Sequence, residues 1–244
     1  MTRRVDIDKE FAVVVKKCGG LVLDDELGGN RPFANADFIF HESKVIAEMK
    51  RLHEDKSEDP EMKQKLGELW TSWCERGLVQ GPTPPLIDSK KVPQQCQHEM
   101  IRTMGESIRR RIKKANAQIK ATKAAMNLPD YHGMLFLAND GNFIMEFPAL
   151  IHLAYLAIKH DFHEIDSISL FSGNIVSWVE GVVGPTKMWF NLHRDDAILP
   201  LAKLAERMGE EWGKHYSAVM GTPFAMSEVG DMEFFNRKMT SRPF

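Results

Sequence analysis

Residues 35–50 read NADFIFHESKVIAEMK. Two short apolar runs, 37–40 and 45–50, flank the polar turn His41-Glu42-Ser43-Lys44. A loop of four residues is a common hairpin length. Pairing Phe40 with Val45 sets Ile39 against Ile46, Phe38 against Ala47 and Asp37 against Glu48. Directly opposed residues of an antiparallel pair share a face, with Cβ atoms about 5 Å apart. Lys50 lies two positions beyond Glu48 and joins that face. The register therefore gathers two acids and a lysine on one side of a hairpin that otherwise reads as buried.

Buried charge is costly unless paired or bound to a metal. Two facing carboxylates repel, and a divalent cation between them reverses the sign. Mg²⁺ prefers oxygen ligands, keeps several waters and suits two carboxylates plus a substrate phosphate. A bound Mg²⁺ or Mn²⁺ polarises a phosphoryl oxygen and acidifies water, and an adjacent lysine stabilises phosphate charge. The simpler alternative is a surface Glu48–Lys50 ion pair on an edge strand, with Asp37 as a loop cap.

Outward from the hairpin, DKEFAVVVKKC at 8–18 reads as a helix stopped by Gly19-Gly20, and LVLDDEL at 21–27 as a strand before the loop GGNRPFAN. Asp59-Pro60 opens a helix over 60–76, with Met62, Leu66, Leu69, Trp70 and Trp73 on one face. The proline-rich stretch 79–93 is an extended crossing loop. Ile101, Met104, Ile108, Ile112, Ala115 and Ile119 recur at helical spacing and predict one long helix over 97–127. GMLFLAND (133–140) reads as a buried strand ending in the turn Asn139-Asp140-Gly141-Asn142, simple turn chemistry with a minor place at the cleft. A helix over 147–160, strands over 167–173 and 187–193 and a final helix over 197–219 follow. Helices alternating with strands apolar on both faces predict an α/β fold with a mixed sheet covered on both sides. We read 1–244 as a single domain, with a core at about 8–175 and a C-terminal extension at about 176–244.

The chain is 43% hydrophobic and 27% charged, an ordinary globular composition. No stretch approaches the roughly 18 uncharged residues of a membrane span. The N-terminus lacks the apolar region of a signal peptide. Cys18, Cys74 and Cys96 are widely spaced, which argues against a zinc knuckle or disulfide framework and fits a cytoplasmic location. The formal charge of −2 offers no global attraction to nucleic acid. A local one is present, because the predicted long helix carries Arg102, Arg109, Arg110, Arg111, Lys113, Lys114, Lys120 and Lys123, with Glu106 as its only acid after Glu99. Such a stripe is either a phosphate-binding footprint or a solubilising face. His152, His160 and His163 sit near a predicted helix end, where histidines meet exposed carbonyls, and are not read as zinc ligands.

The hairpin and its setting resemble the PD-(D/E)xK nuclease superfamily, whose core is a helix, a β-meander, a second helix and a further strand. The acid of that motif corresponds to Asp37 and its ExK to Glu48 and Lys50. The expected order 8–18, 21–27, 37–40, 45–50, long helix and 133–140 follows this core over roughly the first 140 residues, with 60–76 as a helical insertion. The superfamily's proline before the acid is replaced by Ala36. Uncharacterised bacterial members with an NADYLF…VVAELK-like segment and a later NDGN turn are also similar.

The resemblance implies a restriction-endonuclease-like fold and a phosphodiesterase using Mg²⁺ or Mn²⁺ on DNA, or else on RNA. Asp37 and Glu48 would hold the metal, with Glu10 of the first helix as a further candidate ligand, and Lys50 would act on water or phosphate. The contexts implied are restriction, repair or defence, with a homodimer or partner proteins supplying specificity. The alternative function is a non-catalytic subunit of the same fold, structural or nucleic-acid-binding, in a larger assembly.

Overall fold

The computed structural model describes residues 4–28, 33, 35–53, 59–84, 87–88, 91–142, 147–228 and 239–243. The loop expected at 28–35 lies mostly outside these residues. Helix α1 (Ile7–Lys17) is capped by Asp6, whose carboxylate accepts from Lys9 N–H. It stops where Gly19 takes φ 73°, a left-handed conformation that glycine adopts without a steric cost.

The segment 21–27 departs from expectation. Only Leu21–Val22 extend, as β1, and Leu23–Leu27 turn into the short helix α2. Asp24, Asp25 and Glu26 occupy its first turn, where the helix dipole favours acids and a buried sheet face would not. The hairpin β2 (Phe38–Phe40) and β3 (Val45–Leu52) forms in the expected register: Phe38 opposite Ala47, Ile39 opposite Ile46, Phe40 opposite Val45.

Helices α3 (Pro60–Glu75) and α4 (Gln94–Met104) pack on each other around Trp73, Val92, Cys96 and Met100, a small cluster apart from the main core. The long helix expected at 97–127 is instead two helices, α4 and α5 (Glu106–Ala125), parted at Gly105. Helical periodicity runs through the break, so it gives no warning there. A Cβ on Gly105 would lie 2.3 Å from Leu153 of the next helix, and glycine both permits that approach and weakens the helix by about 1 kcal/mol.

The remaining elements are β4 (His132–Asn139), α6 (Phe147–His160), β5 (Ser167–Ser172), β6 (Ile175–Val179), β7 (Thr186–His193), α7 (Leu199–Met220), β8 (Ala225–Glu228) and β9 (Met239–Pro243). Strands β6, β8 and β9 are absent from the sequence reading. Their short segments carry little periodicity, and pairing with β7 and with one another places them.

The described strands form one mixed sheet in the order β1-β2-β3-β4-β5-β7-β6-β9, with β8 beside β7. The β1–β2–β3 meander is antiparallel, whereas β3–β4 and β4–β5 are parallel. One face, with Ile39, Ile46, Leu135, Leu137 and Ile168, is covered by α5 and α6. The other, with Phe38, Phe40, Ala47, Phe136 and Phe171, is covered by α1 and α7. There Phe11 packs on Phe171 and Trp212, with ring centroids 5.2 and 5.5 Å away. Each such ring contributes roughly 1.5–3 kcal/mol by burial. The C-terminal strands thus extend the same sheet, and α7 completes its second face. No described helix is long and apolar enough to cross a membrane.

Candidate active site

Strand alternation decides where the ionisable residues of β3 point. Ile46 belongs to the α5 face and Ala47 to the α1 face. Glu48 and Lys50 therefore share the α5 face with Ile46. Asp37 directly precedes β2, on the face of Ile39, and Met49 N–H donates to its Oδ2 at 2.8 Å. The predicted trio is thus brought together beneath α5.

Within it, Lys50 Nζ donates to Glu48 Oε1 and, at 2.9 Å, to Oε1 of Gln118 on α5. Gln118 Nε2 donates in turn to Asn35 O at 2.9 Å, and Thr122 one turn on accepts from Ala36 N–H at 2.8 Å. The helix therefore clamps the chain just before Asp37 and orients the lysine. Nothing in the sequence marked Gln118. A glutamine on a helix flank has no periodic signature, and only the packing of α5 on β3 gives it a role.

The electrostatics are unusual for an acid in a sheet. Glu48 is 1% exposed, and its Oε2 has no hydrogen-bond partner among the described residues. Burial, and then the negative charge of Asp37, push its carboxyl up to about 8, with Lys50 pulling the other way. Burial also raises Asp37, against the Met49 N–H and Lys50. Two neighbouring acids that both resist ionisation hold a proton between them, and the lysine beside Glu48 only partly offsets that.

The other predicted residues go elsewhere. Glu10 sits on α1, on the opposite face of the sheet, with its Oε2 2.7 Å from His215 Nε2 of α7. The structure does not bring it to the pair. Asp140 lies on the α1 face as well, away from the pair. It is fully buried and accepts from Arg51 at 2.6 Å and from the Asn174 backbone and side chain at 3.0 and 2.7 Å. Asn174 in turn bonds Val5, so this knot ties the start of the chain to the sheet.

The basic stripe divides. Arg102 is on α4, beyond the break. Arg109 pairs with Asp161 at 3.0 Å and lies over the Phe162 ring, and Lys123 pairs with Glu164 at 3.1 Å, so both lean towards α6 and the loop after it. Arg110, Lys113, Lys114 and Lys120 are exposed and Arg111 half-buried, and none makes an ion pair among the described residues. Arg111 and Lys114 precede Gln118 by seven and four residues, which places them on its side of the helix. At a rise of 1.5 Å per residue they stand about 10 and 6 Å from it along the axis.

Comparison with protein-family models, curated proteins and solved structures finds no match for this chain.

Proposed function

We propose that this chain is a metal-dependent nuclease of the PD-(D/E)xK type, hydrolysing phosphodiester bonds in nucleic acid, in DNA in the first place. One observation carries the reading: two carboxyl groups, Asp37 and Glu48, are buried side by side with only Lys50 and one backbone N–H donating to them among the described residues, and Glu48 is raised to about 8. The order of α1, the meander β1–β2–β3, the helix α5 and the parallel strand β4 supports it, because the superfamily core runs in that sequence.

The donor set fits a hard divalent cation. Asp37 and Glu48 supply two carboxylates, and no group of three or more His, Cys, Asp or Glu suited to a metal occurs among the described residues. Two carboxylates, with waters and substrate phosphate completing the sphere, are what Mg²⁺ and Mn²⁺ accept. Such an ion supplies Lewis-acid polarisation of the phosphate and an acidified water. The chain's own residues do the rest. Asp37 and Glu48 hold the charge in place, and Lys50, oriented by Gln118, donates to a phosphate oxygen or an attacking water. Arg111 and Lys114 take neighbouring phosphates along the α5 flank.

A second reading, a non-catalytic subunit of this fold, draws on the Lys50–Glu48 bond, which already satisfies one carboxylate oxygen without a metal. Calorimetric Mn²⁺ titration beside a plasmid-nicking assay separates the two. The nuclease reading expects Glu48→Ala to lose metal and cleavage. It expects Lys50→Ala to keep the metal and lose roughly 100-fold in rate, the scale of one missing charge-stabilising donor. Wild-type protein that takes up no Mn²⁺ at millimolar concentration supports the non-catalytic reading.

A further inference from the structure

The break at Gly105 lies next to a second feature, away from the acid pair. Beside the break, α4, the start of α5 and α6 line a cleft of about 890 Å³. That volume lies within the range of small-molecule sites, roughly 300–1,000 Å³. Its apolar floor is built by Ile112 and Ala157, both buried, and by Leu153, the residue against which Gly105 closes.

The rim is polar, and its charges are unequally engaged. Both of its acids have partners: Glu106 is 3.5 Å from Lys65, and Asp161 takes Arg109 at 3.0 Å. The two arginines and two acids of the lining balance, but Arg102 makes no ion pair among the described residues, so its guanidinium is the one left to meet a ligand. Across the mouth, His98 of α4 and His152 of α6 face each other with ring centroids 6.2 Å apart and planes 24° from parallel. Two imidazole faces beside an uncommitted guanidinium, above an apolar floor, match a flat ring carrying an anionic group.

We infer that this cleft binds a planar aromatic anion of about mononucleotide size, its ring held against His98, His152 and the apolar floor and its charge on Arg102. The site stands apart from Asp37 and Glu48 and does not depend on how they act. An aromatic body is favoured over an aliphatic one because stacked rings present π faces, which planar ligands match. An anionic head is favoured because guanidinium recognises phosphate, carboxylate and sulfonate through its planar donors.

Two probes, adenosine 5′-monophosphate and naphthalene-1-sulfonate, distinguish a nucleotide from another aromatic acid when titrated calorimetrically into the full chain. Saturable one-to-one binding of either is expected. Arg102→Gln should weaken it about tenfold, the effect of removing one charge-assisted hydrogen bond. His152→Ala should weaken it several-fold by removing a ring face. Both side chains are exposed, so the fold should tolerate each change. Glu48→Ala should bind the probe as wild type does, which separates this cleft from the acid pair. Binding of the mononucleotide alone identifies a nucleotide site, and binding of the sulfonate alone a site for a different aromatic acid. No saturation by either probe below millimolar concentration, or saturation unchanged in both cleft variants, overturns the proposal.

Discussion

Glu48 on β3 and Asp140 at the end of the neighbouring β4 are both buried carboxylates, one on each face of the same sheet. Asp140 is surrounded by donors: the Arg51 guanidinium and two N–H groups of Asn174. These outweigh its burial and hold its carboxyl below the usual range. Glu48 has Lys50 as its one described N–H donor and shares a hydrogen bond with the Asp37 carboxyl, and its own carboxyl rises to about 8. A saturated carboxylate is a structural tie, whereas one short of donors is a place for something else to bind. Burial is common to the two, and the number of donors separates them.

The largest effect should come from removing each acid in turn. Asp140→Ala strands the Arg51 and Asn174 donors and should destabilise by about 3–5 kcal/mol in urea unfolding, the usual result of breaking a buried pair from one side. Glu48→Gln removes a charge that the fold resists, and should leave stability unchanged or raise it while losing Mn²⁺ binding. Equal losses in both variants would dissolve the contrast.

A smaller effect follows from protonation. The raised Glu48 carboxyl keeps its proton in the folded chain over a range where the unfolded chain, with an ordinary value near 4.3, has released it. Its contribution is therefore fully present below about pH 4.3 and is lost as pH rises towards about 8. Lys187 works in the opposite sense. It is buried against the Gly173 and Ile175 carbonyls and the Tyr216 ring, and burial pushes it down to about 7. Its contribution is present above the ordinary lysine range and is lost as pH falls through about 7. Between pH 5 and 7 Glu48 dominates this pair. Metal-free protein should lose about 1 kcal/mol per pH unit there relative to Glu48→Gln, read from urea midpoints at each pH. Superimposable profiles would mean that Glu48 is not the strained acid.

The smallest effect concerns the two flanks of α5. Replacing Arg111 and Lys114 with glutamine should lower the log–log salt slope of nucleic-acid binding by about one unit for each phosphate that they neutralise. Arg109→Gln should leave it unchanged, because Asp161 and Phe162 already engage that guanidinium. If all three lower it alike, the substrate spreads over the whole helix rather than along the side of Gln118.

The hairpin was legible because strand geometry has a period of two and a four-residue turn leaves one register that buries both apolar runs. That reading carried Asp37, Glu48 and Lys50 to one face without any knowledge of the rest of the chain. The kink at Gly105 was not legible, because a helical pattern that continues through a glycine looks continuous. At the break Gly105 closes against Leu153, nearly fifty residues away, a contact that no local pattern announces. The acids of 24–26 turned a predicted strand into α2 for a local reason that the apolar residues around them obscured. Glu10 had nothing in its neighbourhood to show that α1 lies on the far face of the sheet, opposite α5, and pairs with His215.

The sequence alone determined the mixed α/β class, the hairpin register and the grouping of three charged side chains, because each depends on neighbours within a few residues or across one turn. The tertiary structure alone decided which buried acid is saturated with donors and which is left wanting. It also decided that Arg109 and Lys123 are taken up by acids after α6 and that a cleft opens between α4 and α6. Those properties depend on packing between segments far apart in the chain, and no local periodicity encodes them.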